Sequence, residues 1–168
     1  ERITPGGHHV LDAFGQFAGA LGCPQSRVEW RLPVPVEART WAAEQLPGDT
    51  PTLLVSPCSS HRLRNWRPER YAAVASRALA RGWRVALCGG RSALEREVGE
   101  AILAAMPQRG RVLDLIGRDT FQRFLALCER ASILLGPDSG PVHMANAMAC
   151  RVIALHACAD AERSGPYS

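Results

Sequence analysis

The segment Gly136-Pro137-Asp138-Ser139-Gly140-Pro141-Val142-His143 gathers more chemistry than any other stretch of the chain. Serine is a favoured helix opener, Gly140 admits close approach to the backbone, and the unbonded N–H groups of a first helical turn attract anions. His143 stands four residues after Ser139, so a helix starting there carries both on one face. The same residues suit a plainer role, in which Asp138 and Ser139 cap the helix and His143 is a boundary histidine. A second segment, Pro57-Cys58-Ser59-Ser60-His61-Arg62-Leu63-Arg64-Asn65-Trp66, offers hydroxyls at Ser59 and Ser60 and the guanidinium of Arg64. That set suits phosphate, because arginine presents a fixed fork of donors to two oxygens at once. A solvated basic loop with Trp66 in the core is an equally good reading. Gly89 and Gly90, in Cys88-Gly89-Gly90-Arg91, resemble a phosphate-cradling turn but lack G-x-G-x-x-G spacing. Ile116 and Gly117, in Leu115-Ile116-Gly117-Arg118, either present backbone groups to a base or form an ordinary turn. No nucleophile elbow, P-loop or glycosidase-like carboxylate pair can be made out. What converges is an anion site without a general base, as expected for binding a nucleotide diphosphate with the chemistry completed from elsewhere.

All four segments sit between an apolar run and a helical period. From Thr52 onward the chain alternates short buried strands (52–56, 84–88, 112–116, 132–135 and 152–155) with helical segments. Pro68 opens a helix that stops at Gly82, with Tyr71, Val74, Ala75, Ala78 and Leu79 as its apolar stripe. Ser92-Ala93-Leu94-Glu95 reads as a capping box, and Asp119-Thr120-Phe121-Gln122 as a second capping signature. Strict alternation of this kind predicts an α/β fold, a Rossmann-like parallel sheet with helices on both faces. In such a sheet ligands bind beyond the carboxyl ends of the strands, where all four segments fall. The first fifty residues differ: His9 to Leu21 reads as a helix ending at Gly22, and Arg31-Leu32-Pro33-Val34-Pro35-Val36 as an extended linker. Residues 1–50 are therefore expected to pack loosely, as the tail of a preceding domain plus a hinge, with 51–168 as the binding domain.

Composition narrows the function. All twenty basic residues are arginine, against sixteen acidic ones, for a net charge of only +4. They are scattered along the chain and aromatics are few, so a nucleic-acid partner is not expected. The six cysteines form no C-x-x-C pair and lie mostly in apolar runs, which fits free thiols in a reducing cytoplasm and no zinc. No apolar run reaches the ~20 residues that span a bilayer.

Asp138-Ser139-Gly140-Pro141-Val142-His143-Met144-Ala145 resembles the D-S-G-P-x-H-x-A signature of the bacterial heptosyltransferases, ADP-heptose:lipopolysaccharide glycosyltransferases of two-domain GT-B fold. Arg64-Asn65-Trp66-Arg67-Pro68-Glu69-Arg70-Tyr71 is similar to the family's K-x-W-P-x-E-R-F stretch. Leu115-Ile116-Gly117-Arg118-Asp119-Thr120 is similar to its L-x-G-K-T-S turn, and Arg163-Ser164-Gly165-Pro166-Tyr167 to its R-T-G-P-Y. The likeness covers residues 53–168 and implies the C-terminal, nucleotide-sugar-binding half of such an enzyme. It implies that Ser139, Gly140 and Val142 meet the pyrophosphate, that Asp138 lies near the donor sugar and that His143 lines the site. Arg64 stands where the family carries lysine, which keeps the charge but changes reach and geometry. The acidic residue that meets the ribose in some relatives is missing after the Gly-Gly turn, Glu95 being the nearest and read as a cap.

By the same likeness the acceptor site and the catalytic base belong to a first domain of which only the last helix, His8 to Leu21, is expected here, so no catalytic residue is assigned within the chain. The chain resembles a fragment cut at both ends. The implied partners are an ADP-sugar donor and a lipopolysaccharide core acceptor, with no cofactor and no metal. The implied location is the cytoplasm, with peripheral association at the inner membrane through the full-length protein. A sugar-nucleotide epimerase of similar shape and a non-catalytic nucleotide-binding module are the alternative functions.

Overall fold

The computed structural model describes residues 7–24 and 27–167; expectations that fall on residues 1–6, 25, 26 and 168 lie outside the described residues. Seven α-helices and five strands alternate among these residues: α1 Val10–Ala20, α2 Val36–Gln45, β1 Thr52–Val55, α3 Pro68–Ala80, β2 Arg84–Leu87, α4 Ala93–Ala104, β3 Val112–Asp114, α5 Phe121–Arg130, β4 Ile133–Pro137, α6 Gly140–Ala147, β5 Arg151–Leu155 and α7 Ala161–Ser164. The five strands form one sheet in the order β3-β2-β1-β4-β5. Every pairing is parallel, with Leu54 opposite both Ala86 and Leu134. The five expected strands and their parallel arrangement are thus as read from the sequence.

Each central strand is buried on both faces, which is why the runs are continuously apolar rather than alternating. Leu54, Ala86 and Leu134 pack with α2, α5 and α6 on one side. Leu53, Val55, Val85, Leu87 and Leu135 pack with α3 and α4 on the other. The sheet therefore lies between two helical layers. On α3 the buried residues are Tyr71, Ala72, Ala75 and Leu79. Val74, expected in the stripe, is exposed, and Ala72 takes its place on the inward face. Gly82 stops α3 with a φ of +79°, as the pattern predicted.

The expectation of loose packing for the first fifty residues fails for 34–46. Val34, Ala38, Ala42 and Leu46 recur every four residues and are buried in the core beside α5. Two of the four are alanines, which let α2 approach α5 closely but give a weak hydrophobic signal, and the flanking prolines resemble a linker. Pro35 in fact stands at the helix N-cap, a position where its missing N–H costs nothing. Arg39 ties α2 to α5 through a bidentate pair with Glu129, at 2.9 and 2.8 Å. By contrast α1 buries none of its residues. It is fastened at its start, where His9 Nε2 lies 3.0 Å from the Gly165 carbonyl oxygen and its ring packs on Tyr167 at 4.6 Å. The Arg163-to-Tyr167 motif is thus a docking point for α1.

Candidate functional site

The strand order places β2 and β3 on one side of β1, and β4 and β5 on the other. The order in which strands are added therefore reverses between β1 and β4, and this is where parallel sheets open a crevice beyond their carboxyl ends. At Gly136 an added Cβ would stand 2.6 Å from the Ser56 carbonyl oxygen, so only glycine lets β4 pass β1 this closely at the mouth. The loop after β1 supplies Arg64 to the crevice and the turn after β4 supplies Asp138 and Ser139.

Asp138 is 8% exposed and occupies the centre. Its Oδ2 lies 3.7 Å from Arg64 Nη1 and its Oδ1 3.8 Å from His143 Nε2. Both separations exceed hydrogen-bond length, so the carboxylate lies close to both groups without tying up their donors. Arg64 and His143 keep 41% and 44% of their side-chain surface. Two cation-capable groups thus line an accessible crevice whose one buried carboxylate fixes their positions.

Ser139 is the N-cap residue of α6, yet its hydroxyl makes no capping bond and donates instead to the Pro137 carbonyl oxygen at 3.0 Å. The capping half of the sequence expectation is therefore corrected: Asp138 and Ser139 do not satisfy the helix start with their side chains. Gly140 N–H opens the helix and has no intrahelical acceptor. An added Cβ at Gly140 would meet only Met144 Cε at 3.8 Å, so no protein neighbour demands glycine there and the space above it is open. Val142 is wholly buried, and its N–H turns back to the Ser139 carbonyl oxygen at 3.2 Å. It shapes the site from beneath.

The loop after β1 is held closed by Asn65. The Ser59 N–H donates to Asn65 Oδ1 at 2.6 Å, and Asn65 Nδ2 donates to the Ser59 carbonyl oxygen at 3.3 Å. The buried Ser59 hydroxyl accepts the His61 N–H at 3.1 Å, so Ser59 shapes the loop that presents Arg64. Trp66 packs edge-on against the buried Tyr71, at 5.3 Å between rings. Both readings of this loop thus coexist: a core tryptophan and a cation at the crevice.

The Gly-Gly and Ile-Gly turns differ from expectation. Glu95 Oε1 accepts the Gly90 N–H at 2.7 Å, while Oε2 accepts the Ser92 hydroxyl at 2.6 Å. The capping box read from the sequence is present, and its carboxylate also fills the place where Gly90 would hold a phosphate oxygen. Gly89 gives its carbonyl oxygen to the Gly117 N–H at 2.8 Å. Ile116 is buried, its N–H donates to Asp114 Oδ1 at 3.0 Å and its carbonyl oxygen accepts Arg96 Nη2. Gly117 has a φ of +79°, and its carbonyl oxygen accepts Arg91 Nε at 3.4 Å. These backbone groups are engaged with the protein itself.

Sequence reasoning missed two groups. The Asp119-Thr120-Phe121-Gln122 string places Asp119 in a capping signature, but Thr120 caps α5, its hydroxyl accepting the Arg123 N–H at 3.3 Å. Asp119 instead turns inward, and burial pushes its carboxyl up to about 7 from 3.8, with Glu95 adding to the rise and the Gly89 N–H opposing it. Nothing in an Asp-Thr-Phe-Gln string distinguishes a capping aspartate from a buried one. His156 was not singled out either; it follows Leu155, the register partner of Pro137, so it stands beside Asp138 at the strand ends, and its Nδ1 is buried without a partner. Among the described residues the only metal-ligand cluster is the exposed His8, Asp160 and Glu162, which joins the start of α1 to that of α7. Cys58, Cys88, Cys128 and Cys150 are buried free thiols, as expected, while Cys23 and Cys158 are exposed.

The sequence pattern of glycosyltransferase family 9 (heptosyltransferase) matches residues 2–168. The chain belongs to this family. It is 32% identical over 160 residues to the lipopolysaccharide core heptosyltransferase OpsX of Haemophilus influenzae, covering 95% of this chain and 46% of that protein. The family 9 glycosyl transferase of Veillonella parvula has the same fold, with a TM-score of 0.87 at 21% identity over 100% of this chain and 49% of its own. The Escherichia coli heptosyltransferase WaaC, in a structure with ADP, superposes with a TM-score of 0.72 at 17% identity, over 99% of this chain and 50% of that one. The family 9 chain thus spans about half the length of these relatives, and its sheet and helices have the GT-B glycosyltransferase architecture expected from the sequence. No described helix is long and apolar enough to cross a membrane.

Proposed function

We propose that this chain is the donor-binding half of a glycosyltransferase that moves a sugar, heptose from ADP-heptose, onto a lipopolysaccharide core. The observation that carries this reading is the disposition of Arg64, Asp138 and His143 at the β1–β4 crevice. Departure of a nucleoside diphosphate leaves negative charge that must be stabilised as the sugar–oxygen bond breaks. Arg64 and the Gly140 N–H are the groups placed to hold that charge, the Ser139 hydroxyl joins them when it turns from the Pro137 carbonyl oxygen, and Asp138 keeps Arg64 turned into the crevice. In this reading Asp138 and His143 also face the donor sugar. Gly89, Gly90, Ile116 and Gly117 act as the scaffold of the site's far wall rather than as direct ligands.

Attack by the acceptor hydroxyl needs a base to take its proton. We assign none within this chain, and place the acceptor site and base in the amino-terminal half that the relatives' greater length provides. In that arrangement α1 belongs to the tail of the amino-terminal half, and the binding domain runs from Val34. The acceptor is then met at the cytoplasmic face of the inner membrane. Membership of the family favours transfer over epimerisation or silent binding.

The test is calorimetric titration of the chain with ADP and inorganic pyrophosphate, alongside transfer from ADP-heptose to a heptose-deficient core. The expected result is weak binding of both probes and no transfer by the chain alone, with transfer restored in a protein of the relatives' full length. Failure to bind either probe would refute the donor site; clear transfer by the chain alone would show that the base lies within it.

A further inference from the structure

A cavity of about 250 Å³ opens beside the crevice, lined by Ser56, Gly89, Glu95 and Asp119 with Phe121, Phe124, Pro141 and Met144. Pro141 and Met144 belong to the first turns of α6, the helix that begins at Ser139. The cavity and the anion crevice therefore share one wall, and a nucleoside diphosphate held at the start of α6 can place its base in the cavity. Building on the donor-binding reading above, we infer that Asp119 reads the base, selecting one that carries an exocyclic amine.

Three observations converge on Asp119. Two carboxyls line the cavity, but Glu95 is fully engaged by the Gly90 N–H, the Ser92 N–H and the Ser92 hydroxyl. Asp119 Oδ1 is buried and has no hydrogen-bond partner. A buried acceptor without a donor is costly, and the cost is relieved when a ligand supplies an N–H. Beside Ser56, Thr120 and the two glycines, Phe121, Phe124, Pro141 and Met144 give the cavity the apolar surface that the faces of a planar base require, and Phe121 is 56% exposed despite its size. An aromatic ring beside an unpaired acceptor fits a flat ring with an amine on its edge.

Chemistry then ranks the bases. The ionised carboxyl accepts from an amine, and the neutral acid adds an O–H donor for a neighbouring ring nitrogen. Burial holds the carboxyl near the point where both forms are present at neutral pH, with the Gly89 N–H favouring the carboxylate and Glu95 the acid. The carboxylate suits the amine alone, and the neutral acid suits the amine and the ring nitrogen together. Uracil flanks its one N–H with two carbonyl oxygens, which repel a carboxylate, so the ionised form disfavours it and carries the discrimination. Asp119 is in this sense a specificity residue, distinct from the groups that hold the diphosphate.

The test compares ADP, UDP and inorganic pyrophosphate by calorimetric titration of the chain, of Asp119→Leu and of Asp119→Asn, with circular dichroism to show that each is folded. The chain is expected to bind ADP about tenfold or more tightly than UDP, the size of one hydrogen bond to a charged group. Asp119→Leu should lose most of that preference with pyrophosphate affinity unchanged, and Asp119→Asn, which keeps an acceptor oxygen, should retain part of it. Equal ADP-to-UDP ratios in the chain and Asp119→Leu, with pyrophosphate still bound, overturn the role of Asp119 and leave the donor site standing. Absence of binding by pyrophosphate and both nucleotides overturns the donor site and this inference together.

Discussion

Arg64 Nη1 stands 3.7 Å from Asp138 Oδ2 across the crevice between β1 and β4, although the two residues come from loops more than seventy positions apart in sequence. The carboxylate, nearly buried, holds an exposed guanidinium in place without tying up its donors. Under the proposed function an incoming diphosphate would meet a cation already oriented toward it, which would reduce the ordering cost of binding.

Replacing Arg64 by alanine should weaken binding of ADP and pyrophosphate alike by about 1.5–3 kcal/mol, the range for a hydrogen bond to a charged group. Lysine at this position should recover part of the loss, because it restores charge but not the fork. Calorimetry on the three proteins measures this; an unchanged affinity in Arg64→Ala would remove Arg64 from the anion site.

Ser139→Ala separates ligand binding from helix capping. The hydroxyl bonds to the Pro137 carbonyl oxygen and caps nothing. The melting temperature is therefore expected to stay within a degree or two of the parent, whereas losing a true N-capping bond would cost about 1 kcal/mol. Pyrophosphate affinity should fall by about 0.5–1.5 kcal/mol. A marked loss of thermal stability with unchanged binding would reverse both assignments.

The buried Asp119 should make stability depend on pH. Its carboxyl is raised from 3.8 to about 7 in the folded protein, so the folded state holds the proton more tightly than the unfolded chain. Its contribution is least harmful below pH 4, and stability is lost progressively as pH rises through 7. Asp119→Asn removes the titration. The stability of Asp119→Asn relative to the parent should thus grow by about 1–3 kcal/mol between pH 4 and pH 8, allowing for partial solvent screening. Urea denaturation at several pH values reads the difference, and a flat profile would mean that Asp119 ionises freely.

Glu95→Ala should cost about 1–2 kcal/mol, because one carboxylate satisfies both the start of α4 and the Gly90 N–H. Amide exchange at Gly90 should accelerate in the variant more than in the interior of α3. Unchanged exchange at Gly90 would show that its amide is held by something else.

Much of this protein was legible in one dimension. Continuous apolar runs such as Leu53-Leu54-Val55, separated by capped helical periods, require strands buried on both faces and helices between them, so the parallel sheet follows from local pattern alone. The capping box at Ser92 and the stop at Gly82 are local events as well, since each depends on residues within a few positions. The Asp138-to-His143 string falls at the junction of β4 and α6, as serine and glycine after an apolar run imply. Tertiary structure decided what local pattern leaves open. Whether Val36 to Gln45 is linker or core depends on how closely α5 lies against two alanines, a long-range packing distance that alanine spacing barely encodes. Whether a backbone N–H is free depends on which side chain reaches it: Glu95 engages Gly90, and Arg96 and Asp114 engage Ile116. Asp119 and Thr120 are equally good caps by residue type, and only the fold shows that Thr120 caps α5 while Asp119 is drawn under the strand ends, where burial rather than sequence sets its charge.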